Sequence, residues 1–477
     1  MVFSSLVFLF IFLPITIVVY YIVPFALKNI ILLLTSLFFY AWGEPIYVLL
    51  MLISITLNYI FGRLIDRAHK KNNRAKTWLI LATLSNVLIL GYYKYSDFII
   101  HNLNTLFQMN IPLTELPLPI GISFFTFQAL SYVIDVYRRD VAVQKNLFNL
   151  ALYISLFPQL IAGPIVRYHT IAKQIKDRIH RLDLFASGVK QFILGLAKKV
   201  LIANQLGEIA DYIFALHPGE MSTSTAWIGM VAYALQIYFD FSGYSDMAIG
   251  LGKMFGFEFL RNFNYPYISR SISEFWRRWH ISLTSWFRDY IYIPLGGNRV
   301  SPLKLYRNIL IVWTITGFWH GASWTFIAWG LYYGILIAIE RLGLLRIIEK
   351  LWRPLQHVYM LFFVSLGWVF FRADNFTYSI NYLKTVFGLQ GAGFIDQTAM
   401  LYAYDYVLVF VLGILFSLPI FPYVREKLDN LQTDLLSHRI ITVTRHSFSP
   451  VIYLSLFLIV TMFLVNSTYN PFIYFRF

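Results

Sequence analysis

His320 lies in the run Thr314-Ile315-Thr316-Gly317-Phe318-Trp319-His320-Gly321-Ala322-Ser323-Trp324, within apolar sequence from Ile309 to Ile339. An ionisable side chain at membrane depth has to be solvated by a partner, a cavity or a substrate. An imidazole with an ordinary pKa of about 6.5 takes a hydroxyl proton near neutral pH and returns it to a leaving group. General base catalysis is therefore one reading of His320. The other is a buried imidazole bonded between helices, beside Gly317 and Gly321 where backbones can approach.

The densest polar cluster runs from Ser271 to Tyr290 and holds Glu274, Arg277, Arg278, Trp279 and His280. Read as one helix, it pairs Glu274 with Arg278 at i,i+4 and puts Arg277 and His280 on a shared face at i,i+3. His280 then lines a reaction chamber while Arg277 or Arg278 attracts an anionic donor, because guanidinium matches phosphate geometry. Trp279 and Trp319, each preceding a histidine, are expected to position that donor. The bland alternative is an interfacial helix with snorkelling arginines and anchoring tryptophans. Asp240, Ser242, Tyr244 and Asp246 form a second polar patch, in which two carboxylates six apart do not make a simple acid pair. Asp240, Ser242 and Asp246 are expected to line a tunnel or lock helices together.

The elements that must position these groups are set by the solvent. The chain has 58% hydrophobic and only 13% charged residues, with mean hydropathy +0.61, whereas a soluble domain carries about 25% charged residues. An all-α, polytopic membrane protein follows, with about 11 spans plus re-entrant or interfacial helices. It is read as one membrane domain over 1–477, ending in an aromatic tail at 466–477. The absence of cysteine excludes disulfides, thiolate metal sites and a cysteine nucleophile. No metal site is expected. A net charge of +15 in a soluble protein would suggest nucleic acid, but here the basic residues sit between apolar stretches, so loop bias and anionic lipid explain them.

Candidate spans begin with Ser5 to Leu27, a short Ile30 to Trp42 read as a half-helix, Ile46 to Phe61 and Trp78 to Tyr93. The first lacks a basic n-region and a cleavage site, so it is read as retained. Arg63, Arg67, Lys70, Lys71, Arg74 and Lys76 form a basic loop that the positive-inside rule puts in the cytoplasm, with Met1 outside. Pro158, Gly163 and Pro164 break the Leu147 to Ile161 stretch, which suggests re-entrant structure around a tunnel. Arg167 to Arg181 reads as an amphipathic interfacial helix. His438, Arg439, Arg445 and His446 mark a last cytoplasmic loop, which leaves the tail after Asn466 outside.

The blocks Ser273-Glu274-Phe275-Trp276-Arg277-Arg278-Trp279-His280 and Gly317-Phe318-Trp319-His320-Gly321 resemble the membrane-bound O-acyltransferase (MBOAT) signature. Phe124 to Gln128, Phe157 to Ile165 and Tyr238 to Asp246 add to a resemblance to the alginate O-acetyltransferase, AlgI-like branch. The resemblance implies a helical disc with a central tunnel, His320 as catalytic base, and His280 at the second signature position. It implies acetyl-CoA as a cytoplasmic donor with no tightly bound cofactor. It also implies an extracytoplasmic SGNH-type acyltransferase partner, and a polysaccharide as final acceptor at a bacterial inner membrane.

The ending Asn470-Pro471-Phe472-Ile473-Tyr474-Phe475-Arg476-Phe477 resembles the terminal motif of small proteins that accompany D-alanyl-transferring relatives. By that resemblance Tyr474 is a candidate acyl relay, and a phenol of pKa about 10 is a better leaving group than an alkyl alcohol. Acyl transfer of D-alanine from a carrier protein is the nearer rival function. A transporter would show internal repeats, which this chain lacks, and a scaffold would not need both histidine blocks.

Overall fold

The computed structural model describes residues 1–71, 74–430, 435–467 and 469–473, with the backbone alone at 425, 428–430 and 435–447. Every regular element among the described residues is helical. Five helices are long and apolar enough to cross a membrane: Phe25–Gly43, Tyr47–Lys70, Ala75–Phe107, Arg353–Arg372 and Phe448–Asn466. A sixth crossing is available if Gln397–Asp405 and Val407–Ser417, bent by 62°, make one span. The protein is a multi-pass membrane protein, and the five or six helices among the described residues that could cross do not by themselves confirm about 11 spans. Several apolar stretches instead become short helices or helices enclosed by protein.

The sequence boundaries shift for local reasons. Val23-Pro24 splits the first stretch, so Phe25–Gly43 is a full 19-residue helix instead of a half-helix, as a proline favours a helix start. Ala75–Phe107 runs far past Tyr93. Leu147–Ser155 and Phe157–Leu160 are separate helices, the break expected from Pro158. Tyr168–Lys176 buries Tyr168, Ile171 and Ile175 and leaves Lys173 and Lys176 exposed, as an amphipathic helix should. The backbone of 438–446 belongs to helix Leu435–Asn466 and is no loop; the side chains of His438, Arg439, Arg445 and His446 lie outside the described ones.

Two helices form the frame around which the others gather. The central helix Thr223–Met254 is nearly all buried, and Ser222 caps it by accepting from Thr225 N at 3.1 Å. Helix Leu182–Ala197 runs antiparallel along it through two glycine pairs. A Cβ on Gly188 would stand 2.6 Å from the Gly250 carbonyl oxygen, and one on Gly195 would stand 2.5 Å from that of Gly243. The two pairs are seven residues apart on each helix, so one face of each carries the seam. Packing by small residues is how membrane helices approach without a hydrophobic driving force. The chain then winds as a π-helix over Lys198–Ala203, a form often retained at functional positions.

Gly243→Val should force this seam apart and destabilise the protein by about 1–3 kcal/mol. Gly91→Ala, where an added Cβ meets nothing within 4 Å, should stabilise its helix slightly, by ~0.5–1 kcal/mol. Thermal unfolding in detergent, followed by size-exclusion fluorescence, reads both; a midpoint unchanged in Gly243→Val would refute the seam.

Candidate active site

The sequence stretch read as one span around His320 is a hairpin. Helix Pro302–His320 stops at His320, and helix Trp324–Ile339 starts after Ser323 accepts from Thr325 N. Gly317 and Gly330 let the two helices touch: their added Cβ atoms would lie 2.3 Å from the Phe326 and Trp313 carbonyl oxygens. A helix ending inside the protein leaves its last carbonyls without intrahelical partners. Here Tyr95 OH donates to the Phe318 carbonyl at 2.8 Å, and Lys94 Nζ donates to those of Trp319 at 2.7 Å and His320 at 3.1 Å. Lys94 completes its set on Ser123 Oγ at 3.3 Å. The ammonium thus sits at the negative end of the helix dipole.

His280 is held differently. The expected single helix over 271–290 breaks into Ile272–Arg278 and Ile281–Phe287, and His280 between them adopts φ 43°, ψ 54°. Arg277 and His280 therefore do not share a helix face. The Glu274–Arg278 pair does form, at 2.9 Å. His280 Nδ1 lies 3.1 Å from Asn262 Oδ1, which also accepts from Ser282 N at 3.1 Å and Ser282 Oγ at 2.9 Å. The Ser282 backbone donor identifies that atom as the amide oxygen, so Nδ1 carries the hydrogen in this network. Nε2 keeps its lone pair, buried with no hydrogen-bond partner among the described residues. A left-handed residue locked by such a network is a strained position of the kind found at functional sites.

Trp319 stands between the histidines, its ring 6.3 Å from that of His280 and 4.8 Å from that of His320. Two cavities meet at His320. One, of about 260 Å³, is lined by Glu44, Lys94, Ser123, Trp319 and His320 among others. The other holds about one water and is walled by Phe241, Trp279, Trp329, Trp368, Phe371 and Ile473 as well as His320. Among the described residues, His320 alone lines both. An aromatic stack leads away from the first wall: Trp319 on Phe127 at 5.3 Å, and Phe127 on Trp286 at 3.8 Å. It continues to Tyr290 at 5.1 Å, whose ring is flanked by Arg138 and Arg167 at 5.2 and 5.3 Å.

The other residues singled out from sequence fall as follows. Trp279 and Trp319 face the cavities, whereas Arg277 is exposed and Arg278 is engaged by Glu274 and the Asn264 carbonyl. Asp240, Ser242 and Asp246 line neither His320 cavity. Asp246 accepts from Lys198 at 2.7 Å and Gln191 at 3.1 Å. Asp240 pairs with Lys199 at 2.9 Å, both deeply buried, and accepts from Ile473 N at 2.8 Å. Lys199 also donates to the Pro471 carbonyl, Tyr469 OH donates to Asp211 Oδ2 at 2.6 Å, and Asn470 bonds Ser4. The tail expected outside is thus drawn into the interior, and Ile473 reaches the His320 cavity. Tyr474 itself lies outside the described residues. Sequence reasoning missed Lys94, Asn262 and Lys199; Lys94, a charge in an apolar helix, carried the same signal that exposed His320.

His320 thus sits at a narrow, aromatic-walled junction, while His280 lines neither cavity and approaches it from behind Trp319, 6.3 Å from that ring. Residues 89–377, which contain both histidines, match the model of MBOAT, the membrane-bound O-acyltransferase family. The chain is 47% identical over 379 residues to a probable alginate O-acetylase AlgI of Azotobacter vinelandii, covering 79% of this chain and 76% of that one. It is 48% identical to the protein of the same description from Pseudomonas aeruginosa, covering 79% and 72%. It is 39% identical over 424 residues to a peptidoglycan O-acetyltransferase of Helicobacter pylori, covering 82% and 80%. The chain belongs to the membrane-bound O-acyltransferase family and is an O-acyltransferase.

Lys94→Met should leave the Trp319 and His320 carbonyls uncapped and let the imidazole shift. A displacement of about 1 Å costs ~10²-fold in rate. Acyl transfer in membranes with matched protein content measures it, and a rate within twofold of wild type, a small change set against that estimate, would contradict the positioning role.

Proposed function

We propose that this protein moves acetyl from cytoplasmic acetyl-CoA through the membrane for O-acetylation of an extracytoplasmic polysaccharide, with a partner acyltransferase of the SGNH type. The observation that carries the reading is that, among the described residues, His320 is shared by the 260 Å³ cavity and the small aromatic-walled one that Ile473 reaches, so one imidazole touches both spaces. The alginate and peptidoglycan O-acetylating relatives support acetyl and a cell-envelope glycan. In this reading the roughly eleven apolar stretches build the family's central tunnel at the inner membrane.

His320 serves as general base and later as general acid. His280, with its Nε2 lone pair free and its Nδ1 tied to Asn262, is the second polar group beside the reacting carbonyl. Trp279 and Trp319 shape the acyl slot. Arg277, exposed at the surface, is the arginine available to the donor phosphates, because Arg278 is paired with Glu274 at 2.9 Å and Arg167, beside the aromatic stack, with Asp289 at 2.6 Å. Asp240 has a holding role here: with Lys199 it keeps the tail in the core, while Asp246 ties helices together and Ser242 packs beside them.

Tyr474 follows directly on Ile473, which lines the inner cavity. In the proposed first step its phenol oxygen bonds to the acetyl carbonyl carbon while His320 takes the phenolic proton. The carbon–sulfur bond breaks and the CoA thiolate leaves, to be protonated by the imidazolium. The resulting phenyl ester is handed to the external partner, which transfers acetyl to a sugar hydroxyl and restores the phenol.

Acetate ester on isolated cell-surface glycan, compared between wild type and His320→Ala at matched expression, tests the function. Ester should fall to background in the variant. Equal acetylation would refute the catalytic assignment.

A further inference from the structure

Away from the histidines, Lys28, Arg178 and His180 converge on the rings of Tyr20 and Tyr21. Lys28 Nζ lies 4.8 and 4.9 Å from the two ring centroids, and the His180 ring lies 5.5 and 5.7 Å from the same pair. Arg178 is 5% exposed; its Nε donates to Tyr20 OH at 2.8 Å and its Nη1 to Asn29 Oδ1 at 2.6 Å, while Nη2 has no partner among the described residues. Tyr20 OH is 2.7 Å from His180 Nε2. No carboxylate lies within ion-pair distance of Lys28, Arg178 or His180 among the described residues.

Lys28 is 9% exposed and forms no hydrogen bond with a described residue. Buried cations are normally paired, because taking a charge from water without a counter-ion is expensive. The positive field is felt by the third member: burial, then the charges of Lys28 and Arg178, lower the His180 pKa to about 4. The collar of the cluster is apolar and open. Ile22 is 78%, Ile179 74% and Leu182 84% exposed, and Phe25 is exposed beside His180. Such side chains at the edge of a membrane protein are covered by acyl chains.

We propose that Lys28, Arg178 and His180, over the Tyr20 and Tyr21 rings, bind the phosphate of an anionic phospholipid whose acyl chains lie along Ile22, Phe25, Ile179 and Leu182. A lipid phosphodiester supplies the countercharge that the protein lacks, and the apolar collar distinguishes it from a soluble phosphate. By the positive-inside rule this end of the hairpin Leu13–Ile22 and Phe25–Gly43 faces the inner leaflet, where basic groups attract anionic lipid. The site is independent of the acyl-transfer reading, since none of its residues lines a His320 cavity.

Native mass spectrometry of the full chain in detergent tests it, with phosphatidylglycerol, phosphatidylcholine, inorganic phosphate and CoA as separate probes. Wild type should retain phosphatidylglycerol about tenfold over phosphatidylcholine, the size of one charge-assisted contact. Lys28→Gln should lose that preference and Lys28→Arg should restore it. Equal retention of the two lipids by wild type overturns the proposal without recourse to any variant. So does a phosphatidylglycerol preference that survives in folded Lys28→Gln. A Lys28-dependent adduct of phosphate or CoA, with no lipid preference, assigns the cluster to a soluble anion and equally overturns it.

Discussion

A helix that stops inside a membrane protein must find donors for its last carbonyls, which have no partners within the helix. In this protein those donors are Lys94 and Tyr95, and the helix they terminate ends on His320. The His320 imidazole is therefore placed by the backbone accounting of its own helix. The same ammonium bonds Ser123 on the next helix, Ile122–Arg138, so the junction is tied to two neighbouring elements. The glycine contact between Gly317 and Gly330 closes the hairpin from the other side. His280 solves an equivalent problem with Asn262, which orients the ring through Nδ1 and leaves Nε2 free.

A second buried charge governs the tail. Asp240 and Lys199 would be costly alone, and a buried pair is retained only when its remaining sites are satisfied. The backbone of Pro471 and Ile473 supplies part of that satisfaction. Tail docking and ion-pair burial are thus one interaction, and it brings Ile473 to the wall of the His320 cavity. The wider turn of Lys198–Ala203 brings two successive lysines to two different aspartates, Asp246 and Asp240.

His320 was legible because an ionisable group in apolar sequence is conspicuous, His280 because it sits in the densest polar cluster, and the blocks around both carried the family resemblance. The break at Pro158 and the amphipathic face of Tyr168–Lys176 were legible from local chemistry. The turn at His280 was not, because one residue in left-handed conformation, held by Asn262 eighteen positions away, looks like continuous helix when only spacing is read. The hairpin at Gly321-Ala322-Ser323 was hidden for the opposite reason: the apolar residues on both sides are continuous, and only the serine cap marks the stop. Charge bias speaks only to the side on which the tail emerges, and says nothing of the Asp240–Lys199 pair that holds residues 471 and 473 in the interior. The role of Asp240 depends on Lys199, 41 positions away, and no local pattern encodes such a pair.

The central claim is that His320 and the inward-directed tail act together on the acyl group. Its most direct test is peptide mass spectrometry of the C-terminal segment after membranes are exposed to isotopically labelled acetyl-CoA and quenched in acid. The account predicts a labelled acetyl ester on Tyr474 in wild type, absent in His320→Ala and in Tyr474→Phe. Acetyl transfer to glycan that proceeds at the wild-type rate in Tyr474→Phe, with no labelled tail in any sample, would contradict it.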